Sequence, residues 1–245
     1  MDRTYRRTYR RLHGGEGLVF FTVRERESDL SIGANRQLAQ QALGVLRAGR
    51  RDIEDEIARC PSFLTALAPL PHTAGCAPVV DAMYRASAAC GVGPMAAVAG
   101  ALASHVGRAL TAYSPDVVVE NGGDVYILSR IPRSVAIVAG DSPLSQRVAL
   151  RVPPGEWGVC TSAGRVGPSL SLGCAHAAVI LSRDAALSDA AATALGNRIR
   201  AQKDLERSVA WAIQLPGVTG AVAILGDRLA AAGKIELEPV LTQKE

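Results

Sequence analysis

The stretch "LSDAAATALGN", residues 187–197, sets two oxygen-bearing side chains, Asp189 and Thr193, into a run of alanines. Alanine is the best helix former, and residues four apart on a helix share one face. Two oxygens pointing the same way out of an alanine face can hold a hard cation. Mg2+ takes oxygen ligands, one or two carboxylates among them, while a substrate phosphate supplies others. Ser188 or Asp189 can equally cap a helix that begins there. From the residues alone both readings stand.

Three further segments are rich in Gly or Ser and fall at the ends of expected elements. In "VENGGDVYI", Gly122 and Gly123 allow positive φ and close approach of a ligand, and Asp124 stands at the turn exit. The same residues also make an ordinary hairpin turn. In "GVCTSAGRVGPSLSLG", the hydroxyls of Thr161, Ser162 and Ser169 and the amides around Gly164 and Gly167 could cradle a phosphate. In "GVGPMAAVAGALA", Pro94 fits a first helical turn whose free amides could face an anion; close helix packing explains the same residues. A GxSxG elbow is absent, and none of His13, His72, His105 and His176 sits where it would identify a catalytic base. His176 lies in an apolar run and reads first as a core histidine. Catalytic candidates are Asp124, His176, Cys160 and Cys174.

These groups need a scaffold, and the composition supplies one. Of the 245 residues 48% are hydrophobic and 20% charged, a globular balance, so disorder is not expected. Aromatic residues are 4%, which argues against a stacking platform for single-stranded nucleic acid. The net charge of +4 is accounted for by the opening "MDRTYRRTYRRL", with five arginines against one aspartate. A solvated or partner-contacting arm over residues 1–16 is the expectation, rather than a nucleic-acid or membrane surface. Five cysteines without a CxxC spacing suggest neither a disulfide framework nor a zinc knuckle. No stretch has the length of a membrane span or the form of a signal peptide, so a cytoplasmic protein is expected.

The pattern predicts two strands in "LVFFTVRERESDLSIGA" with "ESD" at the tip, then a long helix from Asn35 to Pro61. A proline-broken loop follows, then a helix pair hinged at Gly-Val-Gly-Pro. From Asp116 the texture changes to strands: "DVVVENGGDVYILS", "RSVAIVAG", "RVALRVP", "WGVCTSAG" and "CAHAAVILS". The alanine helix, a polar helix "RAQKDLERSVAWAIQL", a Gly-Asp hairpin and a last strand "KIELEPVL" complete the chain. The expectation is an α+β domain over residues 17–245, with a mostly antiparallel sheet and packed helices.

Taken in order, these segments resemble the ApbE-like superfamily, best known for FAD:protein FMN transferases. Those enzymes carry a Gly-Gly-Asp turn, a Thr-Ser-Gly loop and an Asp-x-x-x-Thr helix that binds magnesium beside the FAD pyrophosphate. The matching residues are Gly122, Gly123 and Asp124; Thr161, Ser162 and Gly164; and Asp189 with Thr193. The hallmarks are most similar to those of a branch called uncharacterised protein family 0280, over roughly Leu18 to Leu237. The resemblance implies an ApbE-like fold, a flavin nucleotide (FAD or FMN) or other phosphorylated ligand, Mg2+ on Asp189 and Thr193, and a transferase activity. Classical members also carry a His-Ile-x-Asp-Pro segment; this chain has "SLSLGCAHAAVIL", so only His176 answers it. The resemblance therefore carries the fold and an anion site further than the transfer reaction.

Two alternatives remain open. The branch is associated with sulfur assimilation into homocysteine in anaerobes, which would give Cys160 or Cys174 the leading role. A non-catalytic carrier or assembly factor, with the basic arm meeting a protein partner, is the other. Self-association is left open by the sequence.

Overall fold

The computed structural model describes residues 17–164 and 173–240. The basic arm, with the partner role suggested for it, lies outside them, as do Gly167 and Ser169. Strands β1 (Val19–Glu25) and β2 (Ser28–Ala34) pair antiparallel with Glu25 opposite Ser28. The turn is therefore Arg26-Glu27, with Arg26 at φ 52°, one residue earlier than "ESD" suggests. Helix α1 (Ala39–Arg59) starts later than Asn35, because the Asn35 side chain is engaged elsewhere. Its amide donates to Gly17 O, and its Oδ1 accepts from Ser114 Oγ and the Asp116 amide. The buried stripe of α1 runs Ala42, Leu46, Gly49, Ile53, Glu56, alternating steps of four and three as a helix face requires.

Beyond the short α2 (Ser62–Thr65) and a loop come α3 (Pro78–Cys90), closed by Gly91 at φ 70°, and α4 (Val98–Leu110). A 3-10 turn over Pro94–Ala97 leads into α4. Strands β3 (Val117–Asn121), β4 (Asp124–Ser129), β5 (Arg133–Ala136), β6 (Val148–Val152), β7 (Gly155–Ser162) and β8 (Ala177–Ser182) follow. After them come α5 (Ala185–Arg198), α6 (Leu205–Ala212), β9 (Val218–Leu225), β10 (Arg228–Gly233) and β11 (Leu237–Pro239).

All strand pairings are antiparallel, but they form two sheets rather than one. The larger has the order β1-β2-β3-β4-β7-β8-β9-β10, and β11-β6-β5 make the smaller. The strand alternation explains the layering. Val117, Val119, Tyr126, Ala178 and Ile180 join the core shared with the helices. Their neighbours Val118, Val125, Ile127, Val179 and Leu181 join a second core with Val135 and Leu150 of the small sheet. The central strands are thus buried on both faces, which is why β8 is apolar from Ala177 to Leu181. The result is an α+β fold with helices on one face of a large antiparallel sheet and a small sheet on the other.

Helix α5 lies at the centre of the helical layer, against α3, α4, β7 and β8. Its alanines are what let it lie so close. A side-chain carbon at Gly100 of α4 would come within 2.2 Å of Ala185 O, and one at Gly158 of β7 within 2.4 Å of Ala185 Cα. This packing fixes where Asp189 points.

Candidate functional site

Helix α5 is capped by Asp184, whose side chain accepts from the amides of Ala186 and Leu187. Ser188 is buried instead against Gly158 O and Ser182 Oγ. Neither Ser188 nor Asp189 caps α5, because the helix begins a turn earlier than its alanine pattern suggests. Asp189 does terminate a helix, but a different one: its Oδ2 accepts from the Gly100 amide, 2.9 Å away in the first turn of α4. The first turn of α4, rather than the Gly-Pro turn that leads into it, thus meets a carboxyl group that belongs to the protein itself.

One turn on from Asp189 stands Thr193, and one further turn on, Asn197; all three line one cleft. The opposite wall comes from the β3–β4 hairpin. Gly122 and Gly123 take φ of 70° and 111°, so the two-residue turn closes without strain and pairs Asn121 with Asp124. Strand parity puts Asp124 on the same face as Tyr126, toward the helices. There Asp124 is 8% exposed, and its Oδ1 is buried without a hydrogen-bond partner. Glu120, from the same hairpin, accepts from the Gly123 amide at 3.0 Å. Thr161, Ser162 and Ala163, at the end of β7, complete this part of the wall.

The cleft measures about 1150 Å³. Beyond the carboxylates its lining turns apolar, with Ile53, Ile57, Leu64, Leu67, Met95 and Leu102. Arg26 and Arg50 stand among its lining residues, each paired with Glu54. Neither arginine, nor the wall from α1 and residues 64–67, was signalled by any motif in the sequence.

Electrostatically, this end of the cleft is short of positive charge. Burial holds the Asp189 carboxyl up from an ordinary 3.8 to about 7, opposed by the Gly100 and Ala99 amides. Asp124 is pushed well above the carboxylate range, first by burial and then by the charge of Asp189, with Glu120 adding to it. Two carboxyl groups so placed cannot both ionise cheaply without a cation between or beside them. An oxygen-rich, buried, electron-rich corner with an unpartnered Asp124 Oδ1 is what Mg2+ chemistry asks of a site. The residues present fit the ion.

Other expected residues fall elsewhere. Cys160 is fully buried in the helix-side core, its thiol 3.3 Å from Ala185 O and raised by burial and by Asp124. It touches the site from behind rather than lining the cleft. Cys174 is half-buried, its amide bonded to Ile199 O, and is not among the lining residues. Gly164 does not line the cleft either. Its amide donates to Ala175 O, and a carbon on it would lie 2.5 Å from Gly173 O, so it serves the local packing of this loop. His176, 7% exposed, accepts from the Gly226 amide on Nδ1 and meets Asp141 at 2.9 Å through Nε2. It ties three loops together, outside the cleft.

The comparisons with known proteins bear on the family and the fold. A protein-family model described as "AbpE bacteria" matches residues 10–233. The chain belongs to this family. A UPF0280 protein of Methanocella arvoryzae is 40% identical over 213 residues, 86% of each chain. One of Methanothrix thermoacetophila is 42% identical over 190 residues, covering 76% of this chain and 79% of the relative. Among solved structures, the flavinyl transferase ApbE of Pseudomonas stutzeri, in its apo form, superposes with a TM-score of 0.59 at 15% identity. That likeness covers 89% of this chain and 95% of the other. The flavin transferase ApbE of Vibrio cholerae gives 0.57 at 14% identity, over 88% and 96%. At such identities the likeness is one of fold. Among the described residues no single helix is long and apolar enough to cross a membrane.

Proposed function

We propose that the cleft binds a flavin nucleotide, or a closely related phosphorylated metabolite, together with Mg2+, and that the protein is a transferase of the ApbE type acting on that ligand. The observation that carries the reading is the pair Asp124 and Asp189, which line the same cleft of about 1150 Å³ close enough for the charge of one to raise the other, with Asp124 Oδ1 unpartnered. The volume exceeds the usual range for a small ligand, roughly 300–1,000 Å³, and suits one of dinucleotide size.

Asp189, Thr193 and Asp124 would hold the ion, which when bound supplies charge neutralisation on a phosphate oxygen. The chain's own groups do the rest. The Gly100 amide fixes the rotation of the Asp189 carboxylate, since it occupies Oδ2. Gly122 and Gly123 present backbone with no side chain in the way. Thr161 and Ser162 offer hydroxyl donors to anionic oxygens, and the apolar lining from Ile53 to Leu102 offers a surface for a flat, weakly polar ring. Asp124 carries a proton while the corner lacks a cation and gives it up as one enters, so ion binding releases protons.

Purified protein titrated with FAD and with FMN, with and without Mg2+, tests the reading by thermal shift and by visible absorbance. A stabilisation that needs both flavin nucleotide and Mg2+ supports it. No Mg2+-dependent shift with either nucleotide counts against it.

A further inference from the structure

A second group of ligating side chains stands outside the cleft. His72 lies on the loop after α2, Cys76 precedes α3 by two residues, and Asp81 is in the first turn of α3. Gly75, at φ 73°, turns the chain so that Cys76 comes back beside His72. One ligand atom from each of the three lies within 4.8 Å of the others, and His72 Nε2 is 2.8 Å from Asp81 Oδ1. We propose that His72, Cys76 and Asp81 bind a zinc-class transition-metal ion that fastens this loop to α3.

The donor set chooses the metal. A thiolate, an imidazole and a carboxylate form a mixed set that favours Zn2+ over Mg2+, in contrast to the all-oxygen corner of the cleft. In a tetrahedral zinc site the ligand atoms stand about 3.3–3.6 Å apart, as bond lengths of about 2.0–2.3 Å require. The His72–Asp81 pair, at 2.8 Å, has to open by roughly half an ångström, and Cys76, within 4.8 Å of both, has to close in by little more than about an ångström. The thiolate and the carboxylate together neutralise the dication, and a water completes the fourth position. With the His72 side chain 47% exposed and Asp81 34%, an ion can enter from solvent.

The surroundings are already braced. The His72 ring stands edge-on to Tyr84, centroids 5.4 Å apart, and the Tyr84 hydroxyl donates to buried Glu56 at 2.6 Å. Thr73, next to His72, donates to the same carboxylate at 3.0 Å. Arg85 holds Asp81 Oδ2 at 2.8 Å. Such outer contacts orient ligands and lower the ordering cost of binding.

Position gives the ion a structural consequence. The loop that carries His72 and Cys76 begins at Ala66 and Leu67, which wall the cleft. Ala66 sits so tightly on Gly93 that a carbon there would be 1.7 Å from Ala66 O. Fastening the far end of this loop to α3 steadies that wall.

Cobalt titration of the chelator-treated full chain tests the proposal without reference to any activity. One equivalent of Co2+ is expected to produce a thiolate-to-cobalt charge-transfer band in the near ultraviolet, displaced by Zn2+. Cys76→Ser should lose the band, His72→Ala and Asp81→Asn should weaken Co2+ binding by roughly tenfold or more, and Asp189→Asn should leave it unchanged. Absence of the band at one equivalent, or its persistence in Cys76→Ser, overturns the proposal. Should Cys76→Ser not fold, X-ray absorption on the zinc-loaded wild type decides: one sulfur among nitrogen and oxygen ligands is expected, and a shell without sulfur overturns it.

Discussion

Replacing Asp189 by asparagine keeps an oxygen that can accept from the Gly100 amide and removes the charge. Without a cation, wild-type Asp189 retains its proton in the folded state over a range in which the unfolded chain has already lost it. The folded protein then binds more protons than the unfolded chain between about pH 4 and 7, so stability falls as pH rises through that window. A rise from 3.8 to about 7 corresponds, at 1.36 kcal/mol per unit, to about 4 kcal/mol. Asp189 is only half-buried, so water screens part of the effect and roughly 1–3 kcal/mol should reach the measured stability. In chelator at pH 8, Asp189→Asn should therefore exceed wild type by that amount, a rise in Tm of about 2–4 °C per kcal/mol for a chain this size. At pH 4 the difference should shrink to a small fraction of that amount, because the folded side chain is then neutral in both proteins and the unfolded Asp189 is only partly ionised. Some pH dependence remains in the variant, since Asp124 is raised by burial as well as by Asp189. The assay is thermal or urea unfolding from pH 4 to 8 in chelator. A variant no more stable than wild type at pH 8, with an unchanged slope, refutes the electrostatic picture of the corner.

Gly100→Ala should separate α4 from α5, because its methyl would approach Ala185 O to 2.2 Å and Asp189 Cβ to 2.9 Å; a loss on the order of 2 kcal/mol with weaker Mg2+ binding is expected by melting and calorimetry. Asp184→Ala removes the true cap of α5 and should cost about 1 kcal/mol while leaving ligand affinity at the wild-type value. Thiol alkylation of the native protein should reach Cys60, Cys76 and Cys174 before Cys90 and Cys160, which are buried and pushed up, Cys90 to about 12; rapid native labelling of Cys160 would contradict its placement.

What the sequence discloses depends on range. The Gly122-Gly123 turn and the shared face of Asp189 and Thr193 are local facts, set by two-residue hairpin chemistry and helical spacing, and both are legible. The partner of Asp189 is not, because the Gly100 amide lies 89 residues away. The capping role of Asp184 is masked by its position between a buried strand and a helix with no acidic residue in its first turn. Period-two alternation already separates Cys160 from Thr161, and it is Cys160 that turns into the helix-side core. The split into two sheets left no mark, since strands of either sheet read as the same alternation. Nor did the α1 wall of the cleft: Ile53 belongs to the helix's buried stripe, and the half-buried Ile57 follows one turn later, as any packed helix would place it.

In the function proposed above, Asp189 and its neighbours bind an ion that brings a phosphorylated ligand into the cleft. Calorimetric titration of FAD into wild type and Asp189→Ala, each with Mg2+ and with chelator, tests it most directly. Binding should require Mg2+ in the wild type and be lost in the variant, while circular dichroism shows the fold intact. A folded Asp189→Ala protein that binds FAD with wild-type affinity and wild-type metal dependence would contradict it.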